Sequence, residues 1–107
     1  MKQIVYGKLY DTDSATLLAK WQNNFSEDDI EFFGEELYKT CRGSYFLVET
    51  SSGLEFESTE YESKQKGKEP ELTTRIKPIS AIEAKNWCED NVSSDDYINI
   101  FGPVPLA

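Results

Sequence analysis

Leu37-Tyr38-Lys39-Thr40-Cys41-Arg42-Gly43-Ser44-Tyr45-Phe46-Leu47-Val48-Glu49-Thr50 is the stretch that decides the fold. Residues 44–50 are the clearest strand in the chain, rich in aromatic and β-branched side chains. Cys41-Arg42-Gly43 before it is a three-residue connection with glycine last, where a hairpin loop needs a left-handed residue. The hairpin therefore predicts a strand upstream as well. Residues 26–40 carry two competing signals. Ser26 with Asp29 resembles a capping box, and Ile30, Phe33 and Leu37 recur at helical spacing. Phe32-Phe33 and Leu37-Tyr38-Lys39-Thr40 read as strand. The hairpin favours a strand over about 31–40, with a short helical turn at 26–30 before it.

Working outward, residues 3–10 (Gln-Ile-Val-Tyr-Gly-Lys-Leu-Tyr) are β-rich, and Gly7 suggests a bulge or kink. Asp11-Thr12-Asp13-Ser14 is a turn cluster. It imitates the start of a calcium loop but lacks the later glycine and glutamate. Residues 15–21 form the next strand, with Leu17, Ala19 and Trp21 on one face, so that 3–21 reads as a hairpin. Downstream, Leu54, Phe56 and Ser58 alternate with polar residues as a half-exposed strand. Residues 62–71 contain no apolar side chain and read as a mobile loop. Residues 72–77 are a short strand that Pro78 is expected to stop.

The C-terminal third is helical. Ser80-Ala81-Ile82-Glu83 is a capping box, and the helix it opens runs through Ala84, Trp87 and Cys88 to about Asn91. Ser93 or Ser94 before Asp95-Asp96 opens a second helix carrying Tyr97, Ile98, Ile100 and Phe101, closed by Gly102-Pro103. Strands first and helices last predict an α+β fold: a meandering antiparallel sheet of about four to six strands, with two C-terminal helices packed on one face. At 107 residues one domain is expected, with the sheet over about 3–77 and the helices over about 80–101.

Composition narrows the function. The chain has no histidine, which removes histidine-based nucleophilic and general-base catalysis and most zinc sites. Two cysteines, Cys41 and Cys88, are too few for a four-ligand zinc site; they could form one disulfide, but two reduced thiols are the favoured reading. No phosphate-binding glycine loop is present. No metal or cofactor is expected, and no enzymatic activity. The 20 acids against 11 bases give a net charge of −9, which argues against direct DNA binding and towards a basic protein partner. No apolar run is long enough to span a bilayer, and the N-terminus lacks a signal-peptide pattern, so a cytoplasmic, non-membrane protein is expected. Monomer and homodimer are both open.

The charge is segregated. Glu27, Asp28, Asp29, Glu31, Glu35 and Glu36 occupy one base-free run, and Glu49, Glu55, Glu57, Glu60 and Glu62 another. Glu83, Glu89, Asp90, Asp95 and Asp96 stand against Lys85 alone, whereas Lys64, Lys66, Lys68, Arg75 and Lys77 concentrate the bases. Such segregation steers a partner of opposite sign. The plainer reading is a solvated surface that keeps the chain soluble. The candidate partner-binding residues are Asp28, Asp29, Glu31, Glu35 and Glu36 in a first patch, and Glu55, Glu57, Glu60 and Glu62 in a second. Tyr61 is a possible aromatic anchor. Trp21 and Trp87 sit among apolar neighbours and read as core.

Several blocks resemble a group of small proteins of Gram-positive bacteria and their mobile elements: Gly7-Lys8-Leu9-Tyr10-Asp11-Thr12 with Ala15, Leu37-Tyr38-Lys39-Thr40 with Gly43 and Tyr45-Phe46-Leu47, Ile79-Ser80 with Glu83-Ala84 and Trp87, and Phe101-Gly102. In size, acidity and setting the whole chain resembles anti-CRISPR inhibitors of type II RNA-guided nucleases. The resemblance implies a mimic whose carboxylates take the place of phosphates in the nuclease's basic channel. The alternative expectation is a generic adaptor or immunity-type protein that binds through its aromatic sheet face. A small enzyme would need a deep pocket holding a carboxylate of raised pKa.

Overall fold

The computed structural model describes residues 1–52 and 72–107. The chain runs β1 (Lys2–Val5), β2 (Lys8–Asp11), β3 (Thr16–Gln22), β4 (Phe33–Lys39), β5 (Tyr45–Ser52), β6 (Leu72–Ile79), α1 (Ala81–Asn91) and α2 (Ser94–Phe101). β3, β4, β5 and β6 form a four-stranded antiparallel meander in sequence order, and β1 and β2 a separate two-stranded antiparallel sheet. The expected α+β architecture is present, with the strands divided between two sheets instead of one.

The deciding hairpin forms as its sequence requires. Gly43 adopts φ +90°, and the Thr40 N–H donates to the Ser44 carbonyl at 2.7 Å. The resulting register places Leu37 opposite Leu47 and Tyr38 opposite Phe46. Alternation then gives each face its own core. Leu37 and Leu47 join Ala84 and Cys88 beneath the helices. Phe46 and Val48 join Tyr10 and Ile76 beneath the β1–β2 hairpin. There Tyr38 stacks on Phe46 at 5.2 Å between centroids, and Tyr10 meets Phe46 edge-on at 5.5 Å. Phe46 and Leu37 are fully buried, each worth about 1.5–3 kcal/mol in removed apolar surface. The sheet face that carries Phe46 is thus packed against β1 and β2.

Four local expectations are corrected. Residues 3–21 are not one hairpin: the chain turns at Tyr6-Gly7, joining Val5 to Lys8, and β3 pairs with β4. Gly7 (φ +76°) is therefore a turn residue, and Tyr6 shares its left-handed conformation at φ +51°. That two-residue turn matches strand twist, but a tyrosine in it costs about 1 kcal/mol. The Asp11 cluster instead makes the bend into β3, with Asp11 Oδ1 accepting from the Asp13 N–H at 3.0 Å. Second, Leu17, Ala19 and Trp21 do not share a face. A register shift between Leu17 and Ala19 sets Leu17 opposite Tyr38 and Ala19 opposite Leu37, while Leu18 packs on the helix-side core. Third, residues 26–30 make turns and no helix. Asp29 Oδ1 accepts from the Glu31 N–H at 2.9 Å, a bond that competes with helix formation. Fourth, Pro78 does not end its ladder: it sits opposite Phe46, and pairing continues to Ile79 opposite Tyr45. Among the described residues β6 is an edge strand, where proline is tolerated.

The helices follow their caps. Ser80 Oγ accepts from the Glu83 N–H at 3.0 Å, and Glu83 Oε1 accepts from the Ser80 N–H at 2.8 Å. Ala84 and Cys88, one turn apart, face the sheet. Ser93 caps α2 through the Asp96 N–H at 3.1 Å, and Gly102 closes it at φ +97°. Tyr97 and Phe101 of α2 pack together at 4.9 Å, and Phe101 reaches Tyr45 at 6.1 Å. Cys88 is buried and Cys41 exposed, and both are free thiols. No helix is long and apolar enough to cross a membrane among the described residues.

Candidate functional site

The first acidic run is divided by the fold. Glu27, Asp28 and Glu31 lie exposed in the β3–β4 connection, and Asp29 is half-buried. This connection is held at both ends. The Asn23 amide nitrogen donates to the Glu31 carbonyl at 2.8 Å, and its oxygen accepts from the N–H groups of Phe25 and Phe33. The hydroxyl of buried Ser52 donates to the Asp29 carbonyl, with the Glu27 carbonyl also in reach. Within residues 23–32 there is no lysine or arginine. The carboxylates of Glu27, Asp28 and Glu31 are therefore presented from a pinned backbone.

Glu35 and Glu36 point to opposite faces of β4 and do not extend that patch. Glu36 opposes Lys20 in the ladder, at 3.7 Å between Nζ and Oε2, and accepts from the Tyr38 hydroxyl at 3.4 Å. Burial, together with the Glu36 charge and hydrogen bond, raises the Tyr38 phenol above its ordinary value.

Glu35 belongs to the helix side. Register aligns Trp21, Glu35, Glu49 and Arg75 in one row across four strands. The Trp87 indole N–H, from α1, donates to Glu35 Oε1 at 2.9 Å. Glu49 is 4% exposed, and Arg75 Nε reaches its Oε1 at 2.6 Å. Two adjacent carboxylates in this setting cannot both be comfortable as anions. Burial raises the Glu35 carboxyl above its usual range, and the neighbouring Glu49 adds to this by charge and hydrogen bonding; the Trp87 bond and the Lys77 charge oppose them. The row joins α1 to the sheet.

Glu55, Glu57, Glu60, Tyr61 and Glu62, together with Lys64, Lys66 and Lys68, lie outside the described residues, as do the strand and loop expected there. On the helices Glu83, Glu89, Asp90, Asp95 and Asp96 are exposed. The bonds from Ser80 hold the Glu83 carboxyl below its usual range. Two grooves open on this side. One of about 300 Å³ lies between α1 and α2, lined by Cys88, Glu89, Val92, Tyr97, Ile98 and Val104. Another of about 350 Å³ lies between β3 and the α1–α2 junction. Neither is lined by Glu35. Among the described residues no three metal-ligating side chains cluster.

Sequence reasoning included Glu27 in the acidic run without singling it out, and it missed the pinning roles of Asn23 and Ser52. Alternation alone separates Glu35 from Glu36, a signal available once residues 33–39 are read as strand. The row from Trp21 to Arg75 needs the register of four strands, and no local pattern contains it. Comparison with protein-family models, with curated proteins and with solved structures finds no match.

Proposed function

We propose that the chain is a stoichiometric protein inhibitor of anti-CRISPR type, binding the basic nucleic-acid channel of a type II RNA-guided nuclease. The observation that carries this reading is the base-free set Glu27, Asp28 and Glu31 on a connection fixed by Asn23 and Ser52. A backbone already held in place loses little freedom on binding, which favours a small acidic surface in competition with a phosphate backbone. Glu35 and Glu36 leave the contact set because they stand on opposite faces of β4 and not on the connection. Asp29 supports the others by capping the Glu31 N–H. Phe46 is wholly buried beneath the β1–β2 hairpin and so contributes nothing to a surface of the adaptor type.

The test is a titration of DNA cleavage by a type II nuclease with the wild-type chain and with the triple variant E27Q/D28N/E31Q. Exposed ion pairs contribute on the order of 0.5 kcal/mol each, so losing three weakens inhibition by about tenfold. A triple variant that inhibits as well as wild type overturns the assignment of this patch. No inhibition by either protein overturns the function.

A further inference from the structure

We propose that copies of this chain associate head to tail, the β1–β2 turn of one copy seating Tyr6 in the α1–α2 groove of the next. Both halves of the contact are visible. Tyr6 is 100% exposed, and it occupies a left-handed turn position that suits asparagine or glycine better than an aromatic residue. Behind it, Ile4 and Leu9 form a cross-strand pair facing away from the core, 70% and 55% exposed. Residues 1–10 contain Lys2 and Lys8 and no acid, in a chain whose net charge is −9. The hairpin is thus a basic, apolar projection on an acidic protein.

The groove has the opposite character. Val92, Tyr97, Ile98 and Val104 give it an apolar lining, and Glu89 stands at its edge. Asp90 and Asp95 are exposed nearby on α1 and α2, and α1 has no base in its last turn. Its volume of about 300 Å³ accommodates an aromatic side chain. A tyrosine ring in this groove would set a hairpin that carries Lys2 and Lys8 against a groove lined in part by Glu89, pairing charge around an apolar centre as interfaces do. The hairpin and the helices pack on opposite faces of the four-stranded sheet, so a chain's own hairpin does not reach its groove. The two surfaces differ, so the contact is heterologous, and each added copy leaves one tip and one groove open. A contact this small is weak and is populated at high concentration.

The proposal does not depend on the inhibitor reading. Sedimentation velocity of the full chain from micromolar to millimolar concentration tests it. The expected result is a weight-average mass that climbs past that of a dimer and drops when salt is added. Tyr6→Asn suits the turn better than the native residue, and Ile98→Lys changes an exposed position; each variant alone should remain monomeric. Their equimolar mixture should stop at a heterodimer, because one copy supplies the only tip and the other the only groove. Glu89→Lys, which leaves the apolar lining intact, should weaken wild-type association by about tenfold. A wild-type chain monomeric at millimolar concentration overturns the proposal, as does association that Tyr6→Asn leaves unchanged. A closed symmetric dimer, or a monomer whose groove takes up a small apolar ligand instead, also overturns it.

Discussion

Replacing Trp87 by phenylalanine tests the row that ties α1 to the sheet. The indole N–H donates to Glu35 at 2.9 Å, and Glu35 lies opposite Glu49 in the β4–β5 ladder. A hydrogen bond to a charged group contributes about 1.5–3 kcal/mol. Glu35 and Trp87 are both only half-buried, so the lower end applies. The smaller ring removes packing against the helix-side core, adding about 1 kcal/mol. W87F should therefore cost about 2.5 kcal/mol, and Tm should fall by about 10 °C in a chain of this size. The pH dependence carries a second signature. A carboxyl whose folded pKa is raised favours folding when protonated. Its stabilisation is complete below the ordinary value of 4.5 and is lost as pH rises through the elevated folded value. The Trp87 bond pulls the Glu35 pKa down, so W87F should push it further up and widen the window in which stability falls with pH. E35Q keeps an acceptor for the indole, can donate to Glu49, and should abolish that fall. Urea unfolding from pH 4 to 8, with carboxyl NMR titration of Glu35, measures both effects. A W87F cost below about 0.5 kcal/mol, typical of surface substitutions, or a downward shift of Glu35 in W87F, would refute the coupling.

Three further outcomes follow from the packing. Leu37 is fully buried at the centre of the helix-side core, so L37A should cost about 2–5 kcal/mol in urea unfolding. S80A removes the side-chain cap of α1 and should cost about 1 kcal/mol, with loss of helical signal concentrated at residues 81–84 in hydrogen exchange. Y6N relieves the left-handed tyrosine and, at concentrations where the chain is monomeric, should raise Tm by about 4 °C.

The legible parts of the fold were those in which one short segment states its own geometry. Ser80 and Glu83 satisfy each other across a single helical turn, and Gly43 supplies the one conformation its loop requires. Both were readable because cause and effect lie within four residues. The β1–β2 hairpin was misread because its turn places a tyrosine where asparagine or glycine is expected, so Gly7 read as a bulge. The register shift at Leu18 was equally silent: an unbroken Thr-Leu-Leu-Ala run carries no punctuation, and packing against the helices decides which leucine turns inward. Pro78 misled because a sequence does not say which strand is at the edge. In the candidate site, the density of acid around Asp28 was plain, and strand alternation divides Glu35 from Glu36, whereas the partner each of them meets was not legible. Glu35 and Glu36 are neighbours in sequence, and the sheet sends one to Trp87 and the other to Lys20.

The proposed function requires that the base-free carboxylates of the pinned connection bind a basic nucleic-acid channel. The most direct measurement is the affinity of the chain for a guide-free type II nuclease across a salt series, for wild type and for E27Q/D28N/E31Q. Because displaced counterions contribute to such binding, affinity should fall steadily as salt rises, and the triple variant should bind more weakly with a shallower slope. An affinity indifferent to salt, or a variant whose slope equals that of wild type, would contradict it.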